Sequence, residues 1–158
     1  MSIDLIENVI KKKLTGETLK NTLDFIILMQ ENGFSFEGFV AGNDIRWTPT
    51  YKGKGIGCVA VAEESMLSAG VNFALWLGLD WCFDESKQID NELKEFTWKH
   101  VVLCPQEKYC KPPYCKNNKN QWKFFEKEYK STCHAPLAFF NPDGKSIENI
   151  TKLMLMSQ

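Results

Sequence analysis

A single arginine, Arg46, and two histidines, His100 and His134, accompany eighteen lysines in this chain of 158 residues. Scarce arginine removes the residue that makes most forked contacts to phosphate and carboxylate groups. Scarce histidine leaves few candidates for general-base chemistry or imidazole ligation. Nineteen basic against twenty acidic residues give a net charge of −1, which excludes a strongly basic nucleic-acid arm or an acidic tail for the chain as a whole. Long apolar runs are missing too. The most apolar window, Val71 to Leu79, is interrupted by Asn72 and closed by Asp80, far short of the roughly 20 residues a membrane helix needs. The first residues, Met-Ser-Ile-Asp-Leu-Ile-Glu, lack the basic segment and apolar core of a secretory signal. A cytoplasmic setting is therefore expected, with the six cysteines as thiols or metal ligands rather than disulfides. No internal repeat, low-complexity tract or paired Cys-x-x-Cys knuckle is present.

What is there is ordinary globular usage: 44% apolar and 25% charged residues. The length fits one domain over 1–158, large enough to bury about two-thirds of its unfolded surface without a staple.

The first third reads as helix. Ile3, Ile6 and Ile10 fall on one face. After Thr15-Gly16, the residues Leu19, Leu23, Ile26 and Ile27 form a second stripe, with Thr15 as N-cap and Gly33 as left-handed stop. Phe34 to Val40, Asp44 to Tyr51 and Ile56 to Ala62 read as strands, the last two joined by a turn at Lys52 to Gly55. Val71 to Leu77 is a buried strand or short buried helix. Asp84 to Thr97 predicts an amphipathic helix carrying Ile89, Leu93 and Phe96, and Trp98 to Cys104 a strand. Pro105 to Asn120 predicts a loop, and Leu137 to Phe140 a short strand closed by Asn141-Pro142-Asp143-Gly144. Ser146 is the expected cap of a last helix with Ile147, Ile150, Leu153 and Met154. The order predicts an α+β fold: a mainly antiparallel sheet packed by N-terminal helices and a C-terminal helix, with a Cys-rich loop over 104–133 inserted before the last strand.

Four cysteines cluster late in the chain: Cys104, Cys110, Cys115 and Cys133. Tetrahedral zinc takes about four thiolate or imidazole ligands, and a lysine-rich loop favours thiolate. One structural zinc on these four is the expected cofactor. Free thiols, with Cys104 and Cys133 as small hydrophobes, are the competing reading, and a redox pair or disulfide is a third. His100 lies four residues before Cys104, ~13 Å along an extended strand, so the two cannot share a mononuclear site unless the strand breaks. His134 substitutes for Cys133 more readily than it joins it. Cys58 and Cys82 sit in apolar runs and read as core.

The segment from Trp122 to Cys133 (Trp-Lys-Phe-Phe-Glu-Lys-Glu-Tyr-Lys-Ser-Thr-Cys), followed by Phe139-Phe140-Asn141-Pro142-Asp143 and an apolar helix, resembles the C-terminal signature of a family of small bacterial proteins with a Cys-rich loop upstream. Glu126 stands where that pattern has glycine. The resemblance implies no reaction.

Other constellations are weaker. Gly53, Gly55 and Gly57 lack phosphate-loop spacing. Glu63-Glu64 diverge on a strand. Catalysis by Cys110 or Cys133 with His100 or His134 has no local signature. Residues 106 to 130 hold seven lysines and three glutamates among six aromatics. That composition suits single-stranded nucleic acid, but the lack of arginine there favours a solvated surface whose rings pack inward.

Five tryptophans are many for this length. Trp47, Trp76 and Trp98, with Arg46, are the expected lining of a pocket for a small apolar or aromatic ligand against the sheet. The expected function is a small-ligand-binding module with a structural zinc. The alternatives are a nucleic-acid or protein interaction domain using the basic Cys loop, and a thiol enzyme; the residues favour a non-enzymatic role. No membrane partner is expected.

Overall fold

The computed structural model describes residues 3–41, 44–61, 70–78, 87–103 and 120–157. Helices α1 (Ile6–Lys13), α2 (Gly16–Glu31), α3 (Asn91–Lys99) and α4 (Gly144–Met154) accompany eight strands. These are β1 (Phe34–Ala41), β2 (Asp44–Tyr51), β3 (Lys54–Gly55), β4 (Gly57–Val61), β5 (Phe73–Leu77), β6 (Val101–Leu103), β7 (Asn120–Phe124) and β8 (Lys127–Phe140). Every pairing among the described strands is antiparallel. The main path runs β1-β2-β4-β5-β8-β6, with β3 on β2 and β7 on β8. The fold is α+β, as the order of elements predicts.

Period-two alternation splits the sheet into two faces. One carries Trp47, Val59, Val61, Phe73, Leu75, Leu77, Leu137 and Phe139, all buried. They join Ile6, Ile10, Phe25, Ile26, Ile150 and Leu153 from α1, α2 and α4 in one core. Helices α1, α2 and α4 thus lie on one face, each burying one side against it.

The phase of α2 differs from the sequence expectation. Its buried residues are Thr22, Phe25, Ile26 and Met29, whereas Ile27 is exposed and Leu19 and Leu23 are half-buried. Five successive apolar residues, Phe25 to Met29, surround the helix, so periodicity alone does not fix which side faces inward. Thr15 is the N-cap position, and Gly33 closes the helix at φ +88°, as expected of a left-handed C-terminal glycine.

Helix α3 begins later than predicted. Asp90 is its cap, accepting from the Leu93 amide at 2.7 Å, so the turn starts where the carboxylate can meet the free N–H groups. Trp98 and Lys99 remain helical, and the strand predicted from Trp98 is confined to Val101–Leu103 among the described residues. Asp143, not Ser146, caps α4; its Oδ1 accepts from the Ser146 amide at 2.8 Å.

The largest departure is β8. The short strand predicted at Leu137–Phe140 is the end of a 14-residue strand that forms a hairpin with β7. Phe124 pairs with Lys127, leaving Phe125 and Glu126 as the two loop residues, both at positive φ (46° and 72°). Two positive φ values mark a turn normally built from Asn-Gly. Phe-Glu gives no such signal. Phe125 is held there by burial, and Glu126 by an ion pair with Lys94 at 2.8 Å.

Candidate functional site

Among the described residues, the second sheet face carries no helix stripe. Its residues follow from the register: Phe39 opposite Arg46, Arg46 opposite Ala60, Ala60 opposite Ala74 and Ala74 opposite Phe140. The adjacent row is Cys58, Trp76 and Ala138. Cross-strand partners share a face, so small residues from three strands lie among a few large ones. The large ones touch in sequence. Arg46 Cζ is 5.8 Å from the Trp76 ring centroid, and the Trp76 and Phe140 rings meet edge-on at 6.0 Å and 81°. Phe140 is 48% exposed and Phe39 38%, while Ala74 is fully buried.

Glycine sets how closely the strands beneath Trp76 approach. A Cβ at Gly57 would run into the Trp76 carbonyl oxygen, so only glycine fits there, and the next pair along is Cys58 with Trp76. Cys58 is a half-buried free thiol. Burial pushes its pKa up, against the opposing pull of the Arg46 charge and a hydrogen bond from Arg46. The thiol is neutral at physiological pH and is not prepared as a nucleophile.

Of the four residues expected to line a pocket, Arg46 and Trp76 come together on this face. Trp47 follows Arg46 directly, and alternation puts it on the helix-covered side, 1% exposed. Trp98 belongs to α3, where its Nε1 donates to the Phe124 carbonyl at 2.7 Å and the Lys127 ammonium stands 3.8 Å from its ring. Cys58, expected in the core, is instead half-buried on the Trp76 side, and Phe140 is a residue of this face that the sequence reading did not name among the lining. Alternation about the buried Val59 and Phe139 was the signal that puts both on the Trp76 side.

Cys104, Cys110 and Cys115 lie outside the described residues, as does the Cys133 side chain; the Cys133 backbone belongs to β8. Leu103 pairs with Thr132, and each is one residue from a cysteine of the expected zinc set. No group of three or more His, Cys, Asp or Glu able to hold a metal occurs among the described residues. The His100 ring packs against Phe96 and Phe139, at 4.4 and 4.9 Å between centroids. Its Nδ1 lies 2.7 Å from the Phe96 carbonyl, an oxygen that can only accept, so Nδ1 carries a proton and donates it there.

The aromatics of the basic segment pack inward where they are described. Phe124 and Phe125 are buried, and Trp122 stacks on Phe124 at 5.5 Å. A cavity of about 290 Å³ lies between the approach to α3 and the end of α4, floored by Ile89, Leu93 and Met156. The lysines at its rim are engaged: Lys87 donates to the Leu155 carbonyl at 3.3 Å, and Lys152 pairs with Glu148 at 3.7 Å. No helix among the described residues is long and apolar enough to cross a membrane.

Comparison with protein-family models, curated proteins and solved structures returns no match to this chain.

Proposed function

We propose that this protein is a small-molecule binding module whose ligand, a flat aromatic compound, rests over Trp76 and Phe140 on the sheet face that none of the described helices covers. The observation that carries this reading is the Arg46–Trp76–Phe140 array, with contacts of 5.8 and 6.0 Å. Aromatic rings left partly exposed in contact with one another on a rigid sheet are the usual ingredients of a stacking platform. Strands β2, β5 and β8 supply one residue each, so ligand binding would not require the face to reorganise. Titration of the purified chain with naphthalene derivatives, followed by amide chemical-shift changes, is the test. Shifts centred on residues 74–77 and 138–140 are expected. Shifts confined to the α3–α4 cavity would refute the placement.

A structural zinc on Cys104, Cys110, Cys115 and Cys133 belongs to the same proposal. Its support is the Leu103–Thr132 pairing, which draws together the chain positions flanking Cys104 and Cys133, and a donor set of four thiols suited to closed tetrahedral zinc. The metal would tie the segment after β6 to β8, and its binding energy would stabilise that part of the chain. Native mass spectrometry should find one zinc per chain, lost in Cys115→Ser. A metal-free wild type with six freely reactive thiols would remove zinc from the proposal.

A further inference from the structure

Arg46 is the chain's single guanidinium, and it is short of partners. Its side chain is 32% exposed. The Asp44 carboxylate stands 3.9 Å from Nη2, beyond hydrogen-bond reach. Its Nε is shielded from water and has no hydrogen-bond partner among the described residues. Glu37 shares this face through its pairing with Thr48, and no ion pair joins it to Arg46 among the described residues. Cys58, at its other side, accepts one hydrogen bond from Arg46 but, as a neutral thiol, supplies no counter-charge. The guanidinium therefore has Asp44 as a counter-charge without a hydrogen bond, and its terminal Nη groups, not the shielded Nε, are the donors left for a ligand at the edge of an aromatic surface.

A guanidinium in this state matches a planar, two-oxygen anion: the fork of N–H groups meets both oxygens of a carboxylate. The Trp76 ring beside it limits how the fork can turn and keeps one side of it dry, which strengthens a charge-assisted bond. Resting on the binding reading above, we infer that the ligand is an aromatic carboxylate, its ring on Trp76 and Phe140 and its carboxylate accepting from Arg46. The acid group gives orientation and selectivity, and the rings give contact area.

The experiment is isothermal titration of the full chain with 2-naphthoate and with 2-naphthamide, which share a ring system and differ in charge. Wild type is expected to bind naphthoate about tenfold or more tightly than naphthamide, the scale of one charge-assisted hydrogen-bonded pair. Arg46→Gln should bring the ratio close to one. Trp76→Leu should weaken both probes and lower the ratio less than Arg46→Gln does, because the ring supports the fork without bonding the carboxylate. Arg46→Lys, which keeps the charge without the fork, should recover part of the preference, and circular dichroism melts establish that each variant is folded. Equal binding of the two probes to wild type, with both weakened by Trp76→Leu, overturns the carboxylate and leaves the aromatic platform standing. No binding of either probe to wild type overturns both.

Discussion

The Asn141 side chain accepts hydrogen bonds from the Phe73 and Asn72 amides, both at 2.9 Å, and donates to the Gly70 carbonyl at 2.6 Å. It locks the start of β5 to the end of β8. Asn141 itself holds φ at +40°, a conformation asparagine tolerates better than most residues. Asn141→Ala is expected to cost about 2–3 kcal/mol, two or more net hydrogen bonds at about 1 kcal/mol each. Urea unfolding measures it, and a loss below about 0.5 kcal/mol would show the clamp to be idle.

The turn between β7 and β8 is improvable. Glu126 at φ +72° sits where glycine carries no Cβ penalty. Glu126→Gly should stabilise the protein by about 0.5–1 kcal/mol, the relieved strain exceeding the loss of an exposed ion pair with Lys94. A melting temperature raised by ~1–4 °C is the expected reading.

Helix α2 offers a paired comparison. Ile26 is fully buried and its neighbour Ile27 is 41% exposed. Ile26→Ala should cost about 2–5 kcal/mol, and Ile27→Ala less than about 1 kcal/mol. Equal costs would place the helix in a different phase.

Acid should weaken the start of α4. Hydrogen bonds from the Ser146 amide and the Ser146 side chain hold the Asp143 carboxyl below its ordinary pKa. A depressed folded-state pKa gives stability that is present above the unfolded value, about 3.9, and lost as pH falls through the folded one. Wild type should lose this increment below about pH 4, whereas Asp143→Asn, a cap without a charge, should not. Parallel acid titrations of the two proteins, followed by circular dichroism, provide the check; identical acid limbs would count against it.

The strands with clear alternation and conventional turns were legible in the sequence. The strands expected at Phe34 to Val40 and Asp44 to Tyr51 form, the first running one residue further to Ala41, and the antiparallel α+β arrangement follows from them. The β7–β8 hairpin was not legible, because its turn residues are Phe125 and Glu126 and tertiary contacts impose their backbone. The start of α3 was misplaced because the Ile89 spacing continues the helical pattern beyond the point where Asp90 stops it. In the candidate site, Arg46 and Trp76 were nameable from residue type. Separating Trp47 from them needed only strict alternation, whereas moving Trp98 away needed the end of α3. That Phe140 joins Trp76 depends on the pairing of β5 with β8, which no local pattern announces.

That same pairing governs when the protein can become whole. Strands β1 and β2, and helices α1 and α2, meet neighbours close in sequence and can organise early. Strand β5 can pair with β4, but its other edge must wait for β8, whose residues lie from 60 (Leu77 with Leu137) to 66 (Ala74 with Phe140) positions downstream. Joining distant segments demands loop closure before any contact rewards it, which slows folding. During synthesis, Phe73, Leu75 and Leu77 therefore lie along an open strand edge until β8 has left the ribosome. A nascent chain stalled before Leu137 should be captured by chaperones or aggregate, and extension through Phe140 should release it.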